Sequence, residues 1–331
     1  MQIADERSRV KRVEAPHAPR PLRLFAPREV LGVSHCAICG ESSVELVLEA
    51  HTDHIPRVYR ITEEDHPNCW DLWRCRQCGL IFSDWHLTPD ELHGLYRRMH
   101  DELYDAEDAC RRLTFRRGLG LIAENVARAD AAPPGRLLDV GCATGSFLEE
   151  ARDLGWQVEG VDLSRWAIDR ARARGIEPVH EGTVYTLPGP AERFDVVTML
   201  DYIEHDDAPD RLIEQVRSLL KRGGCLYITS PDIGGLTARM LGARWWGINP
   251  LHLYYFSHDC LGRLLRRHGF EVVVSRSYTR VFTLGYWASR LEHFHPVPAR
   301  VATTVFRALG VANLRIPLNL GDMMEVVARK Q

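Results

Sequence analysis

The chain has 331 residues, of which 45% are hydrophobic and 26% are charged, and its formal net charge is -3. A chain of this length can bury a substantial core and hold two modules. The small net charge argues against a dedicated nucleic-acid-binding protein, and no apolar run is long enough to span a bilayer. The first 25 residues lack the apolar segment of a signal peptide, so we expect a cytoplasmic protein without a membrane partner.

Residues 1–30 mix proline, arginine and alanine without periodicity, which predicts a flexible arm. We expect a zinc-binding subdomain over residues 31–90, because "HCAICG" and "WRCRQCG" supply two CxxC pairs. Nine cysteines in a reducing compartment favour metal binding over disulfides. Four thiolates suit a tetrahedral Zn²⁺, and the predicted ligands are Cys36, Cys39, Cys75 and Cys78.

The gap between the two CxxC pairs exceeds the usual spacing of a zinc ribbon. Another side chain could therefore replace one cysteine, and the candidates are His51, His54, His66 and Cys69. Unligated or redox-active thiols are the alternative interpretation. With four protein ligands the metal has no open position, so we expect a structural ion.

Residues 91–132 are predicted to be a helical linker or lid, in helices that begin at Thr88-Pro89 and end before Pro133. The arginines of this segment indicate either a solvated helix face or a contact with an anionic ligand. They are Arg111, Arg112, Arg116 and Arg117.

From residue 133 to 331 short apolar strands alternate with amphipathic helices. "RLLDVG" precedes "SFLEEARDLG", "WQVEGVD" precedes "SRWAIDRARARG", and "RFDVVTML" precedes "APDRLIEQVRSLLKRGG". This order predicts an α/β domain with a mostly parallel sheet and helices on both faces. Insertions at 231–256 and 278–320 are predicted to line an acceptor pocket or form a lid, and the first contains aromatic residues suited to a ring-shaped acceptor.

The loop "LLDVGCATGSF" follows the first strand of this domain, where ligands of such sheets bind. It contains no lysine, which excludes a Walker loop. A dinucleotide fingerprint is disfavoured because its third glycine is missing and Ala143 stands in place of its second.

Four stretches, "LLDVGCATGSFL", "VEGVDLS", "FDVVTMLDYIEH" and "LKRGGCLYITSPD", resemble the successive motifs of class I S-adenosylmethionine-dependent methyltransferases. The resemblance covers residues 136–277, and the final "GDMMEVVARK" resembles the closing antiparallel strand of that fold. It implies a Rossmann-like, seven-stranded sheet and S-adenosylmethionine as cofactor.

By position in these motifs, the resemblance implies a role for each cofactor-binding residue. Asp139 would support the loop, glycines 141 and 145 would lie against the methionine part, and Asp201 would meet its amino group. The complete predicted set is Asp139, Gly141, Ala143, Gly145, Asp162, Leu163, Glu181, Thr183 and Asp201.

Asp162 is also supported by position alone, because an acid about twenty residues beyond the first loop glycine suits a ribose diol. Its alternative role is the N-cap of the next helix, although Ser164 offers a side chain for that position. The adenine is expected near Glu181 or Thr183.

Polar residues follow the strand "FDVVTML", where the methyl group would lie. His205 is the candidate general base, and Tyr202, Glu204 and His252 are further candidates for the catalytic site. The alternatives are that Glu204 and His205 merely begin a helix through the two aspartates that follow, and that Tyr202 and His252 are structural.

The CxxC pairs, the "L-x-x-L-Y" helix at 92–96 and "YIEH" at 202–205 resemble bacterial sugar and natural-product methyltransferases, including zinc-bearing sugar C-methyltransferases. This resemblance implies a small-molecule acceptor, either a sugar, a glycan or a natural-product intermediate, methylated on oxygen or carbon. A zinc-ribbon rRNA methyltransferase and a non-catalytic partner-binding module are the competing interpretations.

Overall fold

The computed structural model describes residues 36, 38–49, 70–85, 87–101, 108–127, 134–290 and 296–331. The predictions for the arm at 1–30, and for the four alternative zinc ligands between residues 51 and 69, lie outside the described residues.

The strands of the described chain form three sheets. In chain order they are β1 Val44–Leu48, β2 Leu72–Cys75, β3 Ile81–Ser83, β4 Arg136–Val140, β5 Gln157–Asp162, β6 Val179–Glu181, β7 Phe194–Leu200, β8 Leu220–Pro231, β9 Tyr254–Tyr255, β10 Phe270–Ser277, β11 Arg280–Thr283, β12 Arg315–Leu318 and β13 Met323–Lys330. The α-helices are α1 Pro89–Arg97, α2 Asp108–Ala127, α3 Ser146–Asp153, α4 Arg165–Ala173, α5 Pro209–Leu219, α6 Leu236–Leu241, α7 His258–Arg267, α8 Leu284–Arg290 and α9 Pro296–Ala308.

The large sheet has seven strands in the order β10-β13-β8-β7-β4-β5-β6. Its strands are parallel except for β13, which runs antiparallel to both of its neighbours. The predicted fold class, a mostly parallel Rossmann-like sheet closed by an antiparallel strand, is confirmed. The carboxyl ends of β4, β5, β6 and β7 therefore lie along one edge of the sheet.

Helix starts follow the local sequence signals. Thr88 and Glu91 form a capping box before α1, and the hydroxyl of Ser164 accepts a hydrogen bond from Ala167 N at the start of α4. Ser257 caps α7 in the same way, as its sequence predicts. One helix end was predicted too late: α5 ends at Leu219, because Leu220 already pairs with Phe194 in the sheet.

The second sheet combines two distant parts of the chain, in the order β1-β2-β3-β9. Strands β1 to β3 carry or flank the CxxC pairs, whereas β9 belongs to the predicted insertion at 231–256 and pairs antiparallel with β3. One hydrophobic core runs from Trp73 and Leu80 of this region to Leu138 and Val197 of the large sheet. The module boundaries predicted at residues 90 and 132 stay a prediction.

The predicted insertion at 278–320 contains β11, α8, α9 and β12. Strands β11 and β12 form a separate antiparallel pair, and α8 packs against α9. Val281 N of β11 donates a hydrogen bond to the hydroxyl of Thr114, which attaches the insertion to α2. Within the described ranges, no helix combines the length and the apolar character that crossing a bilayer requires.

Candidate active site

The two CxxC pairs meet at one point. The sulfur of Cys36 lies 3.5 Å from that of Cys78, the sulfur of Cys39 lies 3.5 Å from that of Cys75, and all four are within 4.8 Å of one another. Four thiolates at about 2.3 Å from a tetrahedral Zn²⁺ stand about 3.8 Å apart. The cluster therefore fits a metal of that kind, although the other predicted candidate ligands are outside the described residues.

Both cysteine turns have the same backbone geometry. Gly40 N donates to Cys36 O at 2.9 Å and Gly79 N donates to Cys75 O at 3.0 Å. The two glycines have φ values of 73° and 77°, a left-handed conformation that favours glycine. The "CG" that ends each motif is therefore required by the turn that directs the sulfurs toward one another.

The loop after β4 is held by the neighbouring strand. Gly141 N and Cys142 N both donate to Val161 O, and Ala143 N donates to the Asp162 carboxylate at 2.9 Å. The other oxygen of Asp162 accepts from Ser164 N at 2.8 Å. Each carboxylate oxygen has a further lone pair, so Asp162 can still accept hydrogen bonds from a ribose diol. Leu163, which follows it, is half-buried.

The two loop glycines pack against the protein in different directions. A Cβ on Gly141 would stand 2.5 Å from the ring of Tyr202, and one on Gly145 would stand 2.9 Å from Ala171 of α4. Gly145 is thus needed for helix packing, which the sequence interpretation did not anticipate. Ala143 has a φ of 45° and adopts a left-handed conformation without being glycine.

Asp139 is buried beneath this loop at the end of β4. Its carboxylate accepts a hydrogen bond of 2.6 Å from the hydroxyl of Thr198 on β7. Burial raises its pKa to about 7, an effect that this hydrogen bond opposes. In the described structure Asp139 therefore connects β4 to β7, whereas the resemblance implied support of the loop amides.

The predicted adenine residues lie at the tip of the adjacent strand. Glu181 is paired in register with Asp162 across β5 and β6, so the two carboxylates share one edge of the sheet. Glu181 is exposed and forms an ion pair with Arg165 at 3.7 Å. Thr183 N donates to the Thr186 hydroxyl at the start of a short 3₁₀ turn.

The end of β7 carries the predicted catalytic cluster. Asp201 is exposed, has a φ of 52°, and accepts a hydrogen bond of 2.9 Å from the hydroxyl of Thr229. Residues Ile203–His205 form a separate 3₁₀ turn, and α5 begins only at Pro209. Glu204 and His205 are therefore not the first turn of that helix, which was the alternative explanation for them.

Glu204 is almost entirely buried, with 1% of its surface exposed. One carboxyl oxygen accepts a 3.0 Å hydrogen bond from the hydroxyl of Ser230, whereas the other has no partner among the described residues. Burial, reinforced by the charge of Asp201, raises the pKa of Glu204 well above its usual range. This favours the protonated form of the carboxyl group, which can donate one hydrogen bond and accept others.

Nδ1 of His205 lies 2.9 Å from Leu251 O and 2.9 Å from the hydroxyl of Tyr96 on α1. A carbonyl oxygen only accepts, so we assign the ring hydrogen to Nδ1, which leaves a lone pair on Nε2. Burial lowers the pKa of His205 to about 4. The ring is therefore neutral at pH 7 and available to accept a proton.

His252 is brought to the same place from a distant part of the chain. Its ring lies 4.7 Å from that of His205, and its Nδ1 lies 2.9 Å from Gly247 O. Burial and the nearby His205 lower its pKa well below its usual range. One ring nitrogen of each histidine and an oxygen of Glu204 lie within 4.8 Å of one another. Two imidazoles and one carboxyl group, all able to form hydrogen bonds with a ligand, thus converge.

The cysteine region supports this cluster through β3. Ser83 N donates to Leu253 O at 2.9 Å, and its hydroxyl donates to His252 O at 3.2 Å. Leu253 N in turn donates to Glu204 O at 2.8 Å. A continuous series of backbone contacts therefore connects the sheet that flanks the cysteines with the cluster at the end of β7.

Sequence reasoning missed Tyr96 as a member of the site. The only signal was its place in the "L-x-x-L-Y" helix, which did not indicate a contact with His205.

Two interpretations of other segments need revision. Arg116 and Arg117 of α2 are exposed, as a solvated helix face predicts, but Arg112 is only partly exposed. Arg112 and Arg116 also form ion pairs with the buried Glu150 of α3, which the sequence did not indicate.

The predicted aromatic surface for an acceptor ring is the second correction. These side chains are buried in the protein core, each with 2% of its surface exposed or less, and they are Trp245, Tyr254, Tyr255 and Phe256. Pairing of β9 with β3 explains this burial, since it carries the aromatic segment between the two sheets.

Part of the chain is similar in sequence to known methyltransferases. Residues 113–275 match a family model described as "Methyltransferase domain". A ubiquinone biosynthesis O-methyltransferase of Chelativorans sp. is 31% identical over 117 residues, which is 33% of this chain and 46% of that protein. One of Xanthomonas campestris is 34% identical over 114 residues, covering 32% of this chain and 46% of that protein.

The matched stretch thus spans less than half the length of these relatives. Among solved structures, a SAM-dependent methyltransferase from Thermotoga maritima aligns with a TM-score of 0.47 and 21% identity, over 70% of this chain and 94% of that one.

Proposed function

We propose that this chain, which carries a class I methyltransferase domain, transfers a methyl group from S-adenosylmethionine to a small-molecule acceptor. The acceptor class that we propose is a sugar, a glycan or a natural-product intermediate. The curated relatives are named as O-methyltransferases, which favours an oxygen acceptor over carbon. The observation that carries the proposal is the convergence of Glu204, His205 and His252 at the end of β7, beside the glycine loop.

The residues at the sheet edge fit the cofactor. Gly141 and Ala143 keep the loop in a left-handed conformation, and Asp162 retains lone pairs for a diol. Glu181 is paired in register with Asp162 on the outer strand β6, and we assign it to the adenine side. When bound, S-adenosylmethionine supplies an electrophilic methyl group on a positively charged sulfur.

His205 is proposed as the general base. It would accept the acceptor's proton at Nε2, since Nδ1 is occupied by the contact with Leu251 O. A pKa of about 4 makes the ring a weak base. Loss of the proton becomes easier as the acceptor oxygen forms its new bond, so orientation of the acceptor contributes more than basicity.

We propose that Glu204 and His252 stabilise the proton that leaves the acceptor and keep the acceptor in its reactive orientation. Burial favours the protonated form of Glu204, and one of its carboxyl oxygens has no partner in the described structure. It can donate a hydrogen bond to a neighbouring imidazole or to the acceptor. Tyr202, whose ring lies against Gly141, is proposed to position the acceptor.

The four cysteines are proposed to bind a structural Zn²⁺. The sulfur distances fit a tetrahedral ion, and four protein ligands leave no position for a substrate. Its part in function would be indirect, through the strand β3 that supports His252.

The proposal is tested by calorimetric titration with S-adenosylmethionine and by transfer of a labelled methyl group to pools of sugars, glycans and hydroxylated intermediates. We expect His205→Ala to bind the cofactor within about threefold of wild type and to lose on the order of 10² to 10⁴ in kcat. His258→Ala, at the first position of α7, is the matched control and should retain both cofactor affinity and kcat. Cofactor binding without turnover on any pool would favour the non-catalytic module, and an absence of binding would refute the proposal.

A further inference from the structure

Helix α9 presents an apolar face to solvent. Four residues at successive intervals of four positions are strongly exposed, namely Val297 at 72%, Val301 at 58%, Val305 at 44% and Leu309, just beyond the helix, at 69%. Residues spaced by four lie along one side of a helix. We call these four residues the α9 stripe.

The opposite side of α9 is already occupied within the chain. Ala299 is 2% exposed, Ala302 and Phe306 are half-buried, and α9 packs against α8. The helix therefore has one inward face and a separate apolar face outward. A contiguous apolar surface that is exposed to solvent commonly marks a site of interaction with a protein or a membrane.

The charged residues of the segment that carries the α9 stripe all have one sign. From residue 296 to 321 the charged residues are Arg300, Arg307 and Arg315, without a single aspartate or glutamate. The chain as a whole has a net charge of -3, so this segment differs strongly from the rest. The three arginines are exposed, and two of them lie on α9 beside the stripe.

We propose that the α9 stripe docks on the surface of an anionic lipid bilayer. An amphipathic helix with apolar residues on one side and arginines beside them lies in the plane of the membrane, with its apolar face among the acyl chains. The arginines then meet the negatively charged head groups. The sequence expectation of no membrane partner rested on the absence of a spanning segment, which does not bear on a helix that lies on the surface.

A second copy of the chain fits less well. Two stripes packed against each other would bring arginines of both copies together, and the segment offers no acidic side chain to balance them. A second exposed apolar pair, Leu236 and Met240 of α6, begins next to Gly321, where the insertion returns to the sheet. The base of the insertion thus also has exposed apolar residues nearby.

The experiment is flotation of the whole protein with vesicles of phosphatidylcholine alone or with roughly 30% phosphatidylglycerol. We expect roughly tenfold more protein to float with the anionic vesicles, and most of this excess to disappear at about 0.5 M salt. Val301→Glu and Arg307→Glu should each remove most of the bound fraction. Leu154→Glu and Arg222→Glu, which change exposed residues elsewhere, are the matched controls and should bind as wild type does.

Circular dichroism of each variant checks that it is folded. If Val301→Glu does not fold, Arg307→Glu still tests the surface. Equal flotation with both vesicle types, or unchanged binding of Val301→Glu and Arg307→Glu, would overturn the inference. The inference would also be overturned if the wild-type protein did not float with either vesicle type and instead formed a dimer, seen by light scattering, that Val305→Glu abolished. The inference does not depend on methyl transfer, so its failure leaves the proposed function intact.

Discussion

The hydroxyl of Tyr96 lies 2.9 Å from Nδ1 of His205, although the two residues are 109 positions apart in the chain. Their rings also meet edge to face, with centroids 5.8 Å apart. A helix that follows the cysteine region thus contacts the proposed general base at the end of β7. Removal of this contact tests whether it orients the imidazole.

We expect Tyr96→Phe to lower kcat roughly tenfold with little change in KM. The hydroxyl shares the Nδ1 edge of His205 with Leu251 O, and loss of one hydrogen bond is worth about 1 kcal/mol. The measurement is steady-state methyl transfer together with thermal unfolding. Tyr227→Phe is the control, because it removes a buried hydroxyl that donates to Glu325 in the sheet and should lower Tm but not kcat. A Tyr96→Phe enzyme with wild-type kcat would contradict an orienting role.

The stability of the protein should depend on pH through His205. Its pKa is about 4 in the folded protein and about 6.5 in an unfolded chain, so the unfolded state binds more protons between these values. This contribution is fully present above pH 6.5 and is lost as pH falls toward 4. We expect the unfolding free energy of wild type, relative to His205→Gln, to fall by up to about 3 kcal/mol between pH 7 and pH 4.

Urea unfolding of both proteins at several pH values gives this difference directly. Comparison with the variant is necessary because Asp139 has the opposite effect: burial raises its pKa to about 7, so its protonation stabilises the fold as pH falls. Parallel stability curves for wild type and His205→Gln would show that the histidine is not buried as described.

Gly141→Ala should lower the free energy of unfolding by more than the positive φ at this position accounts for. Its φ of 75° costs a non-glycine residue about 1 kcal/mol, and its new Cβ would stand 2.5 Å from the ring of Tyr202. Gly223→Ala is a closely matched control, since its φ is also 75° and no atom lies within 4 Å of its Cβ.

We expect Gly141→Ala to lose at least about 1 kcal/mol more than Gly223→Ala in urea unfolding. Cofactor affinity should fall as well, because the loop has to move away from Tyr202. The double variant with Tyr202→Ala should recover part of the loss, since it removes the ring that causes the clash. Equal destabilisation by the two glycine variants would contradict the described contact.

Loss of the proposed zinc should impair catalysis more than cofactor binding. Ser83, on a strand that flanks the cysteines, donates to His252 O, whereas Gly141 and Asp162 lie on the loop and strand tip of the large sheet. We expect Cys75→Ser to lose the metal in elemental analysis, to lower Tm, and to lower kcat at least about tenfold, with a smaller change in cofactor Kd.

Cys225→Ser, a buried thiol in β8 away from the cluster, is the control and should keep one metal ion per chain. Purified wild-type protein that is folded and active without metal would contradict a structural ion. A larger effect on Kd than on kcat would place the influence of the cysteine region at the cofactor rather than at His252.

Local patterns were sufficient for the elements that lie along the sheet edge. Alternation of apolar strands and amphipathic helices predicted the parallel sheet, and side chains at the ends of neighbouring parallel strands necessarily share one edge. For this reason Asp162, Glu181 and the polar residues after β7 could be placed from sequence. The left-handed glycines of the CxxCG turns were equally readable, because a turn is decided by adjacent residues.

What the sequence determined by itself was therefore the sheet, the loop after its first strand, and the presence of four thiolates and a polar strand end. Only the tertiary structure decided that Tyr96 and His252 meet His205, that β9 joins the sheet that flanks the cysteines, and that Arg112 pairs with Glu150. These contacts join residues from distant segments. Their formation depends on how whole elements pack around a shared core, which periodicity within a single element does not encode.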